Sequence, residues 1–196
     1  MKDVIRKTID FLNLLFNKAL LKYRKVKIGK NLRISGRLFC ITNAKHHIIL
    51  GNDVKINSCR GANPIGGDTK TILFAKGDGK IVIGDNVGIS NSTIFSCENI
   101  TIENNVLIGG NTKIYDTDFH WIDYDKRVIE NGGATKPVII KEGAFIGAHC
   151  IILKGVSIGE RAIVGAGSVV TKDIPALEIW AGNPACFIRS IANDSQ

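Results

Sequence analysis

The sequence predicts an all-β chain: a left-handed parallel β-helix in the form of a triangular prism, preceded by an amphipathic helix and interrupted by a protruding loop. Three observations predict it. From Ile140 an aliphatic residue returns at every sixth position, as Ile146, Ile152, Ile158, Val164 and Val170, a period that neither a helix nor a simple strand produces. Four residues after each such position comes a small or β-branched side chain (Val87, Val106, Thr112, Ala144, Cys150, Val156, Ala162, Ser168) that can share a narrow interior. Corner tripeptides such as Gly84-Asp85-Asn86, Glu103-Asn104-Asn105 and Gly109-Gly110-Asn111 supply residues that tolerate left-handed backbone angles.

A six-residue unit of this kind is a short strand plus a sharp corner. Three units close one coil of roughly eighteen residues, and successive coils hydrogen-bond at ~4.8 Å. The same frame runs backward through Ile102, Ile108 and Ile114, then Ile83, Ile89 and Phe95, and more faintly through Leu50 and Ile56 and through Ile28 and Ile34. The prism therefore spans residues 25–175, with loops near 57–82 and 115–139 where polar, glycine-containing sequence replaces the regular hexads, and a tail over 176–196. Segments that leave a regular coil are where binding and catalytic groups collect. Residues 1–24 form the amphipathic helix: at 100° per residue Val4, Ile5, Ile9, Phe11, Leu12, Leu15, Phe16, Ala19 and Leu20 share one broad face.

With 196 residues, 44% of them hydrophobic, the chain suits one soluble domain with a sizeable core. Its 21 glycines against 4 prolines serve backbone geometry rather than flexibility. Five widely spaced cysteines without a CxxC pair argue against a disulfide framework or a structural zinc site. No apolar run reaches a bilayer-spanning length and no signal peptide is apparent, so a cytoplasmic location is expected. The net charge of +8 is lopsided. Residues 1–37 hold eleven Lys and Arg against Asp3 and Asp10, leaving fifteen basic and sixteen acidic residues for the remainder. Nucleic-acid binding is not expected from so uneven a distribution without a recognisable binding motif. The basic helix reads either as a cap over the first coil or as a contact with an anionic membrane face, which would make the protein peripheral there.

The segments IYDTDFHWID (114–123), IGAHCIILKGVSIGERAIVGAGSVVTKDIP (146–175) and AGNPACFIR (181–189) resemble the hexapeptide-repeat acyltransferases, and within them the galactoside, maltose and polysaccharide O-acetyltransferases. The likeness extends over residues 50–191 or so, and NPIGGDTKTILFAKGDGKIVIGDN (63–86) looks like the polysaccharide-modifying members. It implies a homotrimer with active sites between neighbouring prisms, acetyl-CoA as co-substrate, a sugar or glycan acceptor and no metal. His120 matches the family's loop base, and the frame agrees: six residues on from Ile114, an uninterrupted coil would put His120 in the apolar interior. Asp118 and Asp116 flank it as ring orienter and acceptor ligand, or else as turn formers. Asn91 corresponds to an asparagine that contacts the acceptor or the developing oxyanion, or else sits at a corner. Trp121 is either a stacking wall for a sugar or intersubunit packing. By the same likeness Ala148 and Ala166 line the CoA channel, Thr171 and Lys172 reach the nucleotide end, and Arg189 meets a phosphate. Cys186 stands where relatives carry Lys or Arg, which predicts a weaker phosphate clamp or compensation elsewhere.

The implied activity is acetyl transfer from acetyl-CoA to a sugar hydroxyl, by direct attack with a histidine general base, in surface polysaccharide or lipopolysaccharide biosynthesis. No GxSxG nucleophile motif suggests an acyl-enzyme. Alternatives are N-acetylation of an amino sugar, acetylation of a drug, transfer of a longer acyl group, and a noncatalytic scaffold. The scaffold has no need of a histidine in a break of the coil. The histidine spacing of γ-type carbonic anhydrases, which share this coil, is absent.

Overall fold

The computed structural model describes residues 2–42 and 44–191, with side chains from residue 8 onward. Twenty short strands make three sheets of six, eight and six strands, the faces A, B and C of a prism. Each coil contributes one strand to each face in turn, so strands adjacent in a sheet are parallel and one coil apart. The expected helix is α1, Lys2–Tyr23. Val4 and Ile5, placed on its apolar face by the sequence, have side chains outside the described residues, as does the tail beyond Ile191.

The hexad frame is the interior of this prism. On face A, Ile28, Leu50, Ile83, Ile102, Ile140 and Ile158 are in register, and on face B the ladder is Ile34, Ile56, Ile89, Ile108, Ile146 and Val164. All but Ile28 and Ile34, which lie at the open first coil, are buried. Val87, Val106, Thr112, Ala144, Cys150, Val156, Ala162 and Ser168 are buried beside them. Face C departs from the frame at one place. Its ladder passes through Ile94, which is fully buried, and Phe95 points outward against Phe74 and Phe119. The corner before it, Asn91-Ser92, is one residue shorter than its neighbours, and both of its side chains are buried.

Most corners carry one left-handed residue, stacked coil upon coil. Between faces A and B these are Asn31, Asp53, Asn86, Asn105, Gly143 and Arg161, and between faces B and C they include Asn91, Asn111, His149 and Gly167. Corner side chains accept from backbone N–H groups of the preceding coil: Asn52 Oδ1 from Lys30, Asp85 Oδ1 from Asn52 at 2.7 Å, Asn104 Oδ1 from Asp85. The Asn52 backbone N–H, and then its side-chain amide, hold the Asp85 carboxyl below its ordinary value.

Both loops leave at corners, and both are shorter than the sequence frame suggested. The first occupies 59–71, because Ile72–Ala75 is a face C strand with Leu73 and Ala75 inward. The second, an arm over 116–137, contains α2, Tyr124–Ile129, with Asp123 accepting from Lys126 N at its start. The tail is a hairpin: Glu178–Gly182 extends face B and Ala185–Ser190 pairs back on it antiparallel. Trp180 takes the next rung after Val164 and covers that end of the prism.

Asp116 clamps the point where the arm departs. It is fully buried and accepts from Ser96 Oγ at 2.6 Å, Cys97 N at 2.7 Å and Glu98 N at 2.9 Å, all one coil below. The expected contact with an acceptor sugar is therefore replaced by an internal one. Burial, and next the Asp116 charge, raise the Cys97 thiol above its ordinary value.

Two expectations follow. A Cβ on Gly51 would lie 2.4 Å from Asp85 Oδ1 and 2.6 Å from the Gly84 carbonyl, whereas one on Gly61 meets nothing. Gly51→Ala should lower unfolding stability by about 1–3 kcal/mol in urea denaturation, while Gly61→Ala should stay within about 1 kcal/mol of the parent. Asp116→Ala leaves three donors without an acceptor and should cost about 3 kcal/mol or more in the same experiment.

Candidate active site on an arm and a corner track

The arm begins where face C meets face A. Its neck is closed by Lys136 N donating to Asp116 O and by Thr117 bridging Thr135. Asp118 N then bonds Ala134 O, and His120 N bonds Asp118 O at 2.7 Å. Phe119 adopts φ 62° and packs its ring on Phe95 and Tyr115, with centroids 4.9 and 5.4 Å apart. A left-handed residue pinned in this way reverses the side-chain direction, so that the His120 ring stands exposed while its backbone is fixed by a bridge to Gly132.

Asp118 does not reach the His120 ring as expected. Its carboxylate meets Lys154 Nζ at 3.1 Å, with the two side chains 26% and 23% exposed. The pair fastens the arm to the next coil, and Asp118 positions His120 through its backbone carbonyl. Trp121 is half-buried beside the histidine, with Lys126 Nζ 5.4 Å above its ring and no hydrogen-bond partner for Nε1 among the described residues. Past it the arm exposes Ile122 and Ile129 at 83% and 81%.

The second half of the site runs along the edge between faces B and C. Corner glycines allow successive coils to approach closely there: a Cβ on Gly109 would sit 2.5 Å from Ala148 N, and one on Gly147 2.5 Å from Ala166 N. Ala148 and Ala166 therefore form a smooth track of methyl groups and backbone. Thr171 and Lys172 follow the last strand of face C, at its corner toward face A, and Arg189 lies on the tail hairpin, all three exposed. Lys172 Nζ stands 5.3 Å over the Trp180 ring, whose Nε1 donates to Glu178 Oε2. Arg189 makes one long hydrogen bond, to Ser190 O, which leaves its guanidinium largely uncommitted.

Asn91 lies on this same edge but under the 59–71 loop. It is fully buried, its Nδ2 donates to Thr69 O, and its Oδ1 has no partner among the described residues. Thr69 Oγ1 returns a bond to Asn91 O, and Gly66 lies against the Asn91 side chain so tightly that a Cβ would be 2.3 Å away. The asparagine anchors the loop, which covers it.

Sequence reasoning missed one group here. Lys113 Nζ donates to Asn111 Oδ1 at 2.7 Å, and Asn111 Nδ2 lies 3.2 Å from His149 Nδ1. The ammonium requires an oxygen opposite it, so the amide nitrogen faces the ring and Nδ1 accepts, leaving the proton on Nε2. Burial lowers the Lys113 pKa. The usable signal was the left-handed Asn111 and His149 on successive corners, which stacks their side chains. Among the described residues no group of three or more His, Cys, Asp or Glu is placed to hold a metal ion.

Comparison with known proteins agrees with this architecture. The family model described as the hexapeptide repeat of succinyl-transferase matches residues 137–172. The galactoside O-acetyltransferase of Escherichia coli is 40% identical over 102 residues, covering 52% of this chain and 49% of that protein. The galactoside O-acetyltransferase of Lactococcus lactis is 39% identical over 105 residues, covering 54% and 49%. The chain thus matches about half the length of these curated relatives. Among solved structures, AntD, an N-acyltransferase from Bacillus cereus crystallised with a dTDP-amino sugar and coenzyme A, superposes with a TM-score of 0.71 at 26% identity, covering 90% of this chain and 89% of that one. With its hexad-filled, three-faced coil the chain is thus similar in fold and in its repeat to the hexapeptide-repeat acyltransferases.

Proposed function

We propose that this protein is an acetyl-CoA-dependent O-acetyltransferase acting on a sugar hydroxyl in the assembly of a surface polysaccharide or lipopolysaccharide, through a left-handed coil of the hexapeptide type. The observation that carries the proposal is His120: its backbone is locked by Asp118 O and the bridge to Gly132, and its ring is exposed and free to act as a base. The ring nitrogen takes the proton of the acceptor hydroxyl, the oxygen attacks the thioester carbonyl, and the tetrahedral intermediate collapses to ester and CoA thiolate. The histidine returns its proton to the sulfur. Such a base contributes roughly 10²- to 10⁴-fold.

CoA lies along the Ala148–Ala166 track, its pantetheine arm on backbone and methyl groups and its phosphates toward Thr171, Lys172 and Arg189. Within one chain face C separates this track from the edge where the arm departs. A complete site therefore takes His120 from one copy and the track from its neighbour, in a cyclic trimer. The exposed Ile122 and Ile129 of the arm provide apolar surface for that contact. Trp121 flanks the acceptor, and the 59–71 loop that Asn91 anchors takes over the acceptor-facing place first given to Asn91 itself.

One observation favours a second reading, transfer to an amine: AntD, an N-acyltransferase, was crystallised with a nucleotide-linked amino sugar. Loss of thioester absorbance on incubation with acetyl-CoA, screened over sugars, nucleotide sugars and amino sugars, separates the two by which acceptors respond. This readout also avoids the exposed Cys186 thiol, which would consume a thiol reagent. His120→Ala should keep CoA affinity and lose about 10²-fold or more in turnover, while Arg189→Ala should mainly weaken CoA binding. Near-normal turnover in His120→Ala would refute the base assignment.

A further inference from the structure

The helix α1 meets the prism with the wrong side for a simple cap. Its contacts with the coil are polar: Asn17 Nδ2 donates to Gly36 O at 2.8 Å, Asn17 Oδ1 accepts from Leu38 N at 3.0 Å, and Asn13 Oδ1 accepts from Arg37 Nε at 3.0 Å. Leu21, Leu20 in part, and Leu14 at a crevice shared with Ile28 and Leu32 add apolar contact. At 100° per residue the arc away from Asn17 and Leu21 holds Phe11, Leu12 and Leu15, with Phe16 at its edge, where the Arg37 guanidinium lies 5.0 Å over its ring. These four are 41–58% exposed, whereas an amphipathic helix of a globular protein turns such residues to the core. The helix thus covers the first coil, and its two asparagines fix a rotation that leaves the apolar arc outward.

What covers this arc is indicated by charge. Residues 1–37 carry eleven cations against two acids, while the rest of the chain is nearly balanced. Lys18 borders the arc and Lys22 lies on it two turns past Leu15, and Lys25, Lys27, Lys30 and Arg33 are further exposed cations of the same segment. A second copy docked through the same surface would bring an equal positive charge against it, at a cost in repulsion. A bilayer rich in anionic lipid complements it. We propose that α1 is an interfacial anchor: Phe11, Leu12 and Leu15 enter the boundary between headgroups and acyl chains, and Lys18 and Lys22 meet the phosphates. Resting on the transferase reading, this places the active site where a lipid-linked glycan is presented.

The test is flotation of the full chain with vesicles of phosphatidylcholine alone, and of phosphatidylcholine and phosphatidylglycerol in equal parts, at low and high salt. The protein should float with the anionic vesicles only, less at high salt. Phe11→Ser combined with Leu15→Ser should weaken this by roughly a hundredfold, and Lys18→Glu combined with Lys22→Glu by at least about tenfold. Both variants should keep the parent's CoA affinity, and Phe11→Ser/Leu15→Ser should also keep its thermal midpoint, since those two side chains face away from the coil. Absence of flotation, equal flotation with neutral vesicles, or flotation unchanged in the Phe11→Ser/Leu15→Ser variant would each overturn the proposal. So would a drop in oligomer mass in that variant when the parent ignores vesicles, which would assign the arc to a second copy. Turnover of a soluble acceptor should be the same in parent and Phe11→Ser/Leu15→Ser variant, so a failed transferase reading shows in turnover and a failed anchor in flotation.

Discussion

Hydrogen bonding between successive coils governs this molecule, because every strand is only two to six residues long and has no independent stability. A short strand persists only where the coils above and below present N–H and C=O groups in register. That register holds only if each corner turns through the same angle. The left-handed residues stacked at Asn86 and Asn105, or Asn111 and His149, are where the turn is made. The corner ladder of Asn52, Asp85 and Asn104 ties each turn to the next by side-chain to backbone bonds.

The same constraint dictates where extra sequence can go. A residue inserted within a strand would move every later side chain across the pleat, taking its apolar set out of the core. An insertion at a corner is harmless provided the chain returns to the rung it left. Both loops obey this, and the arm over 116–137 shows the required closure in the bond from Lys136 N to Asp116 O and in the three donors that hold Asp116. A rigid coil thereby carries a histidine on a projecting arm without loss of position, as a proton-transferring group requires.

Much of this was legible in the sequence, because the inward positions depend on period alone and the period is strict. That His120 leaves the coil was equally legible, since the frame would otherwise bury it. Three features were not, the last two because contacts far along the chain decide them. The step from Ile89 to Ile94 spans five residues, and frame arithmetic passed to Phe95 because both candidates are apolar. Asp116 read as a ligand beside a base, but its partners Ser96, Cys97 and Glu98 lie one coil earlier. The rotation of α1 is set by Asn13 and Asn17 meeting Gly36, Arg37 and Leu38. A helical wheel finds an apolar arc but cannot say which way it faces.

A stacked coil has two open ends, and the chain treats them differently. At the C-terminal end Trp180 occupies the next rung, its Nε1 satisfied by Glu178, and the hairpin supplies further backbone partners. That end is finished by the coil's own rules. The N-terminal end is covered by a helix held through asparagine amides, which leaves a crevice of about 280 Å³ lined by Leu14, Leu21, Ile28 and Leu32 and leaves Ile28 41% exposed. If sealing the prism were the helix's whole purpose, turning it toward Ile28 would bury more apolar surface on both partners. The polar docking forgoes that gain and keeps the apolar arc outward, next to the densest positive charge in the chain. A helix so oriented is adapted to something beyond the coil it stands on.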